Sequence, residues 1–163
     1  MTTDPILVVT TGGTIDKAYF DALSEYQVGD SVVARLLQIA RVTHAYRVEE
    51  FSRKDSLDLT DVDREQLRSR IASAPETRVV VTHGTDTMTQ SAEVLRSIEG
   101  KTIVLTGALA PARFVESDAA FNLGMAFGVA QTAGAGVYIA MNGQVFRAGA
   151  VRKDRENARF VPI

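Results

Sequence analysis

Two glycine–threonine pairs, Gly13-Thr14 and Gly84-Thr85, stand out as groups able to do chemistry. Each follows an apolar run, Ile6–Thr10 before the first and Arg78–Thr82 before the second. Glycine lets a chain turn sharply and approach a ligand closely, and the threonine after it offers a hydroxyl at the turn. Two hydroxyls at one mouth, with a carboxylate and an amine near them, suit acyl transfer. One hydroxyl attacks a carbonyl while a base takes its proton, and backbone N–H groups hold the oxyanion. The same residues are common turn and cap residues of βα connections, and spacing alone favours that plainer role.

Open α/β sheets bind ligands beyond the carboxyl ends of their strands, so the elements behind these turns matter. Short apolar runs alternate with helical patterns, which predicts a three-layer α/β sandwich with a mostly parallel sheet of about six strands. Ile6–Thr10 reads as a strand covered on both faces, Tyr46–Phe51 as a more exposed one, and Arg78–Thr82 and Thr102–Thr106 as two more. Val32, Val33, Leu36, Leu37 and Ala40 form a helical stripe, and Met88–Ile98 reads as another helix. Thr60-Asp61-Val62-Asp63 has capping-box spacing ahead of Leu67, Ile71 and Ala74. Ser117 is placed to cap a helix running to about Ala130, in which Gly124 and Gly128 predict a smooth face for a close neighbour. Gly136–Met141 is the fifth strand. It runs into Asn142-Gly143, a hairpin signal that sends Gln144–Ala148 back antiparallel.

Composition narrows the possibilities. A chain of 163 residues argues for a single domain over 1–163. Its hydrophobic content of 45% and charged content of 23% are those of a globular protein rather than a disordered or fibrous one. The net charge of −2 gives no field for gripping nucleic acid. The absence of cysteine removes thiol catalysis and thiolate metal sites, and two histidines, His44 and His83, are too few for a histidine-rich metal centre. Met1-Thr2-Thr3-Asp4-Pro5 lacks the basic region of a signal peptide. The stretch from Ala119 to Phe146 is uncharged, but its five glycines and the Ala133-Gly134-Ala135-Gly136 turn predict a buried helix, a turn and a buried strand rather than a membrane span.

The strings Thr11-Gly12-Gly13-Thr14-Ile15 and His83-Gly84-Thr85-Asp86-Thr87, each closing a strand, resemble the two signature segments of the bacterial-type L-asparaginase/glutaminase family. Thr106-Gly107-Ala108 with Pro111, Ser117-Asp118 with Phe121-Asn122-Leu123, Met141-Asn142 and Val151-Arg152-Lys153 extend the resemblance in order along nearly the whole chain. It corresponds to the family's amino-terminal domain. The resemblance implies hydrolysis of the side-chain amide of L-asparagine to aspartate and ammonia, with no metal or cofactor. Thr14 would be the nucleophile, forming an aspartyl ester. Tyr26 on the following loop would assist it, with Tyr19 as the other candidate. Thr85, Asp86 and Lys153 would form a second triad, Asp86 also binding the substrate's α-ammonium. The turn residues Gly84 and Ala108 would contact the substrate.

Two departures accompany the resemblance. It stops short of the family's second domain, which supplies a glutamate to a neighbour's site. Where the family has a serine–glutamine pair for the substrate's α-carboxylate, Ser52-Arg53-Lys54-Asp55 is read here, so Arg53 or Lys54 is expected to take that role. The expected assembly is a homodimer or homotetramer, and the expected location the cytoplasm. The competing readings are an amidase for another small amide, such as glutamine or a D-amino acid, and a non-catalytic amino-acid-binding or regulatory module.

The remaining signals take plainer roles. His83 is expected to hydrogen-bond within its turn, and His44 to be exposed. Asp58, Asp61, Asp63 and Glu65 lack the central glycine of a calcium loop and read as an acidic first helical turn. The scattered cations Arg147, Arg152, Arg155 and Arg159 read as solvated surface. The segment around Phe20 and Leu23–Tyr26 reads as a loop able to close over substrate.

Overall fold

A computed structural model describes residues 4–20 and 25–163. The expectations for Met1-Thr2-Thr3 and for Leu23 and Ser24 lie outside the described residues. The central sheet has six strands: β1 (Ile6–Gly12), β4 (Tyr46–Lys54), β5 (Arg78–Thr82), β6 (Thr102–Thr106), β7 (Gly136–Met141) and β8 (Gln144–Arg147). Their order is β4-β1-β5-β6-β7-β8. The first five run parallel, and β8 returns antiparallel to β7. Asn142 and Gly143 close that hairpin with φ of 54° and 69°, the left-handed pair that a tight turn between twisted strands needs.

Successive side chains of a strand face opposite ways, and the sheet uses both faces. Leu7, Val9, Val79, Val81, Ile103 and Leu105 pack on one side against α2 (Asp61–Ser73) and α3 (Met88–Leu95). Ile6, Val8, Val80 and Val104 pack on the other against α1 (Val33–Ile39) and α4 (Ala119–Thr132). The predicted three-layer sandwich is the one observed. α2 begins with the expected capping box: Thr60 accepts from Asp63 N, and Asp63 accepts from Thr60 N.

Several local expectations are corrected. The segment around Phe20 and Tyr26, expected as a loop, contributes to a two-stranded hairpin, β2 (Lys17–Phe20) with β3 (Glu25–Val28), in which Tyr19 pairs with Tyr26. α3 ends at Leu95, and Ile98 continues with a tighter Ile98 N to Leu95 O bond. Gly124 and Gly128 carry no close neighbour: a methyl built on either would meet nothing within 4 Å. The sheet-facing row of α4 is instead Ala119, Leu123, Ala126, Phe127 and Ala130, so the glycines fall on the solvent side. The Ser117 hydroxyl does accept from Ala119 N at 3.1 Å, although Asp118 is the residue at the helix boundary. His44 is half-buried, its Nε2 3.2 Å from the Asp4 carbonyl.

A second two-stranded sheet, β9 (Val151–Asp154) with β10 (Arg159–Pro162), follows the central one. Val151 and the fully buried Phe160 anchor it in the α2/α3-side core. Asn142 Oδ1 accepts from Phe160 N at 2.8 Å and ties it to the β7–β8 turn. Among the described residues no helix is long and apolar enough to cross a membrane.

Candidate active site

The connections out of β1 and β5 diverge. From β1 the chain passes through α1 on one face to β4; from β5 it passes through α3 on the other face to β6. Such a divergence opens a crevice between the two strand ends, where open sheets bind ligands. Gly12 and Gly13 take φ of 106° and 86° there. A Cβ on Gly13 would overlap the Cα and N of Gly84. The two glycine–threonine turns are therefore in main-chain contact, and Thr14 and Thr85 leave from adjoining points. Thr11 Oγ1 donates to Thr82 O at 2.8 Å and fastens the strand ends just below.

Thr14 is half-buried and opens a 3₁₀ turn, Thr14–Asp16. Asp16 behind it is 1% exposed. Its Oδ1 accepts from Val32 N at 3.0 Å, and its carbonyl accepts from Gly29 N and Arg113 Nη1 at 3.0 Å each. One residue thus joins the Thr14 turn, the exit of the β2–β3 hairpin and the start of α1. Burial pushes its carboxyl pKa up to about 6, against the opposing hydrogen bond from Val32 N.

Thr85 is 6% exposed. Lys153 Nζ lies 2.8 Å from Thr85 Oγ1 and 2.8 Å from Asp86 Oδ1. Because an ammonium only donates, the Thr85 hydroxyl accepts from Lys153 and keeps its own hydrogen for another partner. The Lys153 hydrogen bond holds the Asp86 carboxyl below the usual carboxylate range. Arg155 Nε approaches the same Asp86 oxygen at 3.5 Å.

Behind Thr85 runs a buried chain of polar groups. His83 Nδ1 lies 2.7 Å from Gly84 O, and Nε2 2.7 Å from Ser91 Oγ. A carbonyl only accepts, so Nδ1 carries the proton and Nε2 accepts from the Ser91 hydroxyl. Ser91 Oγ in turn accepts from Arg64 Nε at 3.2 Å. Burial pushes the His83 pKa down to about 4, so the ring is neutral at neutral pH and serves to hold the Gly84 carbonyl.

β6 ends in a loop held by carboxylate and amide. Asp118 accepts from Leu109 N and Ala110 N at 2.9 and 3.0 Å, and Asn122 Nδ2 donates to Gly107 O at 2.9 Å. Ala108 is 1% exposed, its methyl in the α1/α4-side core.

Lys54 O accepts from Gly13 N at 2.9 Å, but the Arg53 and Lys54 side chains are both engaged with carboxylates. Arg53 pairs with Glu50 at 2.7 Å and with Asp30, and Lys54 pairs with Asp63 at 2.9 Å. With Tyr26, Lys17, Asp55 and Asp58 they line an open cleft of about 360 Å³ beside the hairpin. Tyr26 is half-exposed, its ring 5.3 Å from Tyr19 and 5.5 Å from Phe114.

Ser56, which the sequence reading did not single out, also reaches the crevice from this segment. β4 carries two extra residues against β1: Thr10 faces Glu50, but Gly12 faces Lys54. Ser52 Oγ bonds the Thr11 carbonyl in the gap at 2.7 Å. The extra length carries the next turn over the end of β1, so that Ser56 lies against Gly84. Its Oγ accepts from Thr87 N at 3.3 Å, and its carbonyl accepts from Thr87 Oγ1 at 2.8 Å. The signal for it was the Asp55-Ser56-Leu57 turn, in which Asp55 accepts from Leu57 N. Among the described residues no group of three or more carboxylates and histidines is arranged to hold a metal ion.

Comparison with known proteins agrees with this architecture. The family model for the asparaginase N-terminal domain matches residues 5–159. A glutaminase-asparaginase of Acinetobacter glutaminasificans is 30% identical over 166 residues, covering 91% of this chain and 49% of that protein. A probable periplasmic L-asparaginase of Haemophilus influenzae is 30% identical, covering 94% and 47%. The thermostable L-asparaginase of Thermococcus kodakarensis superposes with a TM-score of 0.86 at 27% identity, covering 98% of this chain and 51% of that one. The chain spans about half the length of the curated relatives it matches. Matched by that model over nearly its whole length, the chain belongs to the asparaginase family and corresponds to its amino-terminal domain.

Proposed function

We propose that this chain is an L-asparaginase-like amidohydrolase that releases ammonia from the side-chain amide of L-asparagine. The observation that carries the reading is the Lys153 ammonium, 2.8 Å from both Thr85 Oγ1 and Asp86 Oδ1, beside the main-chain contact of the two threonine turns. In this reading Thr14 Oγ bonds to the amide carbon as Tyr26, or its cross-strand partner Tyr19, takes the hydroxyl proton. The C–N bond then breaks, and nitrogen leaves with a proton as ammonia. Water attacks the aspartyl ester, freeing aspartate and restoring the Thr14 hydroxyl. Lys153 lowers the cost of deprotonating a hydroxyl or water at Thr85. The ionised Asp86 receives the substrate's ammonium, and the turns at Gly84 and Ala108 supply main-chain contacts to it. Arg53 and Lys54 stand as weaker candidates for binding its carboxylate, since each already has a carboxylate partner.

The proposal includes one domain over the chain, a homodimer or homotetramer in solution and a cytoplasmic location. Two separate layers of helices on one sheet support the first. The names of the relatives divide on the last, one being a probable periplasmic and one a probable cytoplasmic L-asparaginase. Ammonia release from asparagine, glutamine and D-asparagine, by wild type and by Thr14→Ala, is the test. Release lost in the variant supports the mechanism. Release from another amide alone changes the substrate. Binding without release by wild type identifies an amino-acid-binding module instead.

A further inference from the structure

We infer that Arg155 is the anchor for the substrate's carboxylate, a specificity-determining residue for the site proposed above. The inference rests on that reading of Asp86. An α-amino acid presents an ammonium and a carboxylate on one carbon, and an anion and a cation side by side match that pair. Asp86 and Arg155 form such a pair. Arg155 Nε approaches Asp86 Oδ1 at 3.5 Å, the oxygen that also takes the Lys153 hydrogen bond. That geometry leaves Asp86 Oδ2 for an ammonium and the two Nη groups of Arg155 for a carboxylate, in the forked arrangement that guanidinium favours.

The other cations near the crevice are already engaged. Lys17 pairs with Asp55 at 3.1 Å, Arg53 with Glu50 and Asp30, and Lys54 with Asp63. Among the described residues Arg155 pairs with Asp86 alone, at the longest distance of these. Its backbone is well placed for the task. It lies in the turn between β9 and β10, where Asn157 N and Nδ2 both bond the Asp154 carboxylate and Ala158 N bonds the Arg155 carbonyl. The same hairpin carries Lys153, so one element holds both the cation that meets Thr85 and the one that would meet the carboxylate. The substrate class is therefore an amide that bears a carboxylate, with a neighbouring ammonium welcome at Asp86.

Three amides separate these contributions: asparagine, succinamate, which lacks the ammonium, and β-alaninamide, which lacks the carboxylate. In Arg155→Gln the KM for asparagine and succinamate should rise about ten-fold, the lower end for a charge-assisted hydrogen bond because Arg155 is 68% exposed. The loss on β-alaninamide should be several times smaller, and Arg155→Lys should recover part of the affinity for the carboxylate-bearing pair. Equal losses on all three amides, or none, overturn the inference. Calorimetric titration with L-aspartate separates this outcome from failure of the hydrolytic reading. If wild type releases no ammonia from any amide, weaker aspartate binding by Arg155→Gln still supports the anchor. Equal affinity, or no binding by wild type, removes it.

Discussion

At the end of β1 the glycine–threonine pair is fixed through a buried carboxylate, Asp16; at the end of β5 it is fixed through a neutral imidazole and an ammonium. Thr14 stays half-buried, with its neighbour Asp16 gathering the hairpin exit and the start of α1. Thr85 is buried, receives Lys153 at its oxygen, and is backed by the chain from His83 through Ser91 to Arg64. The same two-residue motif is thus supported for different work: one hydroxyl is left reachable, the other is held and polarised.

The sharpest way to break this comparison is to exchange the roles. Thr14→Ala should lower ammonia release from asparagine by a factor on the order of 10³ or more, as expected for loss of a nucleophile. Retained release would move the nucleophile to Thr85. Lys153→Met should cost roughly 10²-fold in kcat, the scale of general acid–base assistance, with KM changing less; a pure KM effect would reduce Lys153 to a binding group.

The next two outcomes concern stability and its dependence on pH. The Asp16 pKa is raised, so the folded state holds that proton longer than the unfolded chain, and stability falls as pH climbs from about 4 to about 6. His83 is depressed to about 4, so the unfolded chain takes its proton first, and stability rises with pH across about 4 to 6.5. The two slopes oppose each other. Asp16→Asn should therefore stabilise the protein by roughly 3 kcal/mol above pH 7 and by little near pH 4, read by urea unfolding at both values. An equal effect at the two would mean that the charge of Asp16 is not what burial penalises. Ser91→Ala, which strips His83 Nε2 and Arg64 Nε of their shared partner, should cost about 1–2 kcal/mol. Ser91→Thr should restore most of it, whereas no loss would show that the β5 turn does not depend on that chain.

What could be read from the sequence follows the same division between covered and exposed elements. β5 and β6 have the predicted ends, Arg78–Thr82 and Thr102–Thr106, because fully covered strands are continuous apolar runs stopped by polar turns. The β2–β3 and β9–β10 hairpins were missed because their support is tertiary. Val28 lies against Gly12, and Phe160 is anchored in a core that no local pattern reveals. In the site, the two glycine–threonine turns were visible as residues, but their contact required the sheet order. Lys153 was legible only through the family resemblance, since a lysine in a four-residue polar strand carries no signal of its own. Arg53 and Lys54 were named from the segment that the resemblance aligns, whereas Ser56 at the crevice was hidden because the two extra residues of β4 leave no mark in the local pattern.

Asn142 shows how far from the crevice its charge can be set. Its backbone makes the left-handed bend between β7 and β8, and its carboxamide holds Phe160 N on the strand that pairs with Lys153. The residue acts as a pivot at the rim of the sheet, and the reach of the Lys153 ammonium is geared to an amide that the ammonium never touches.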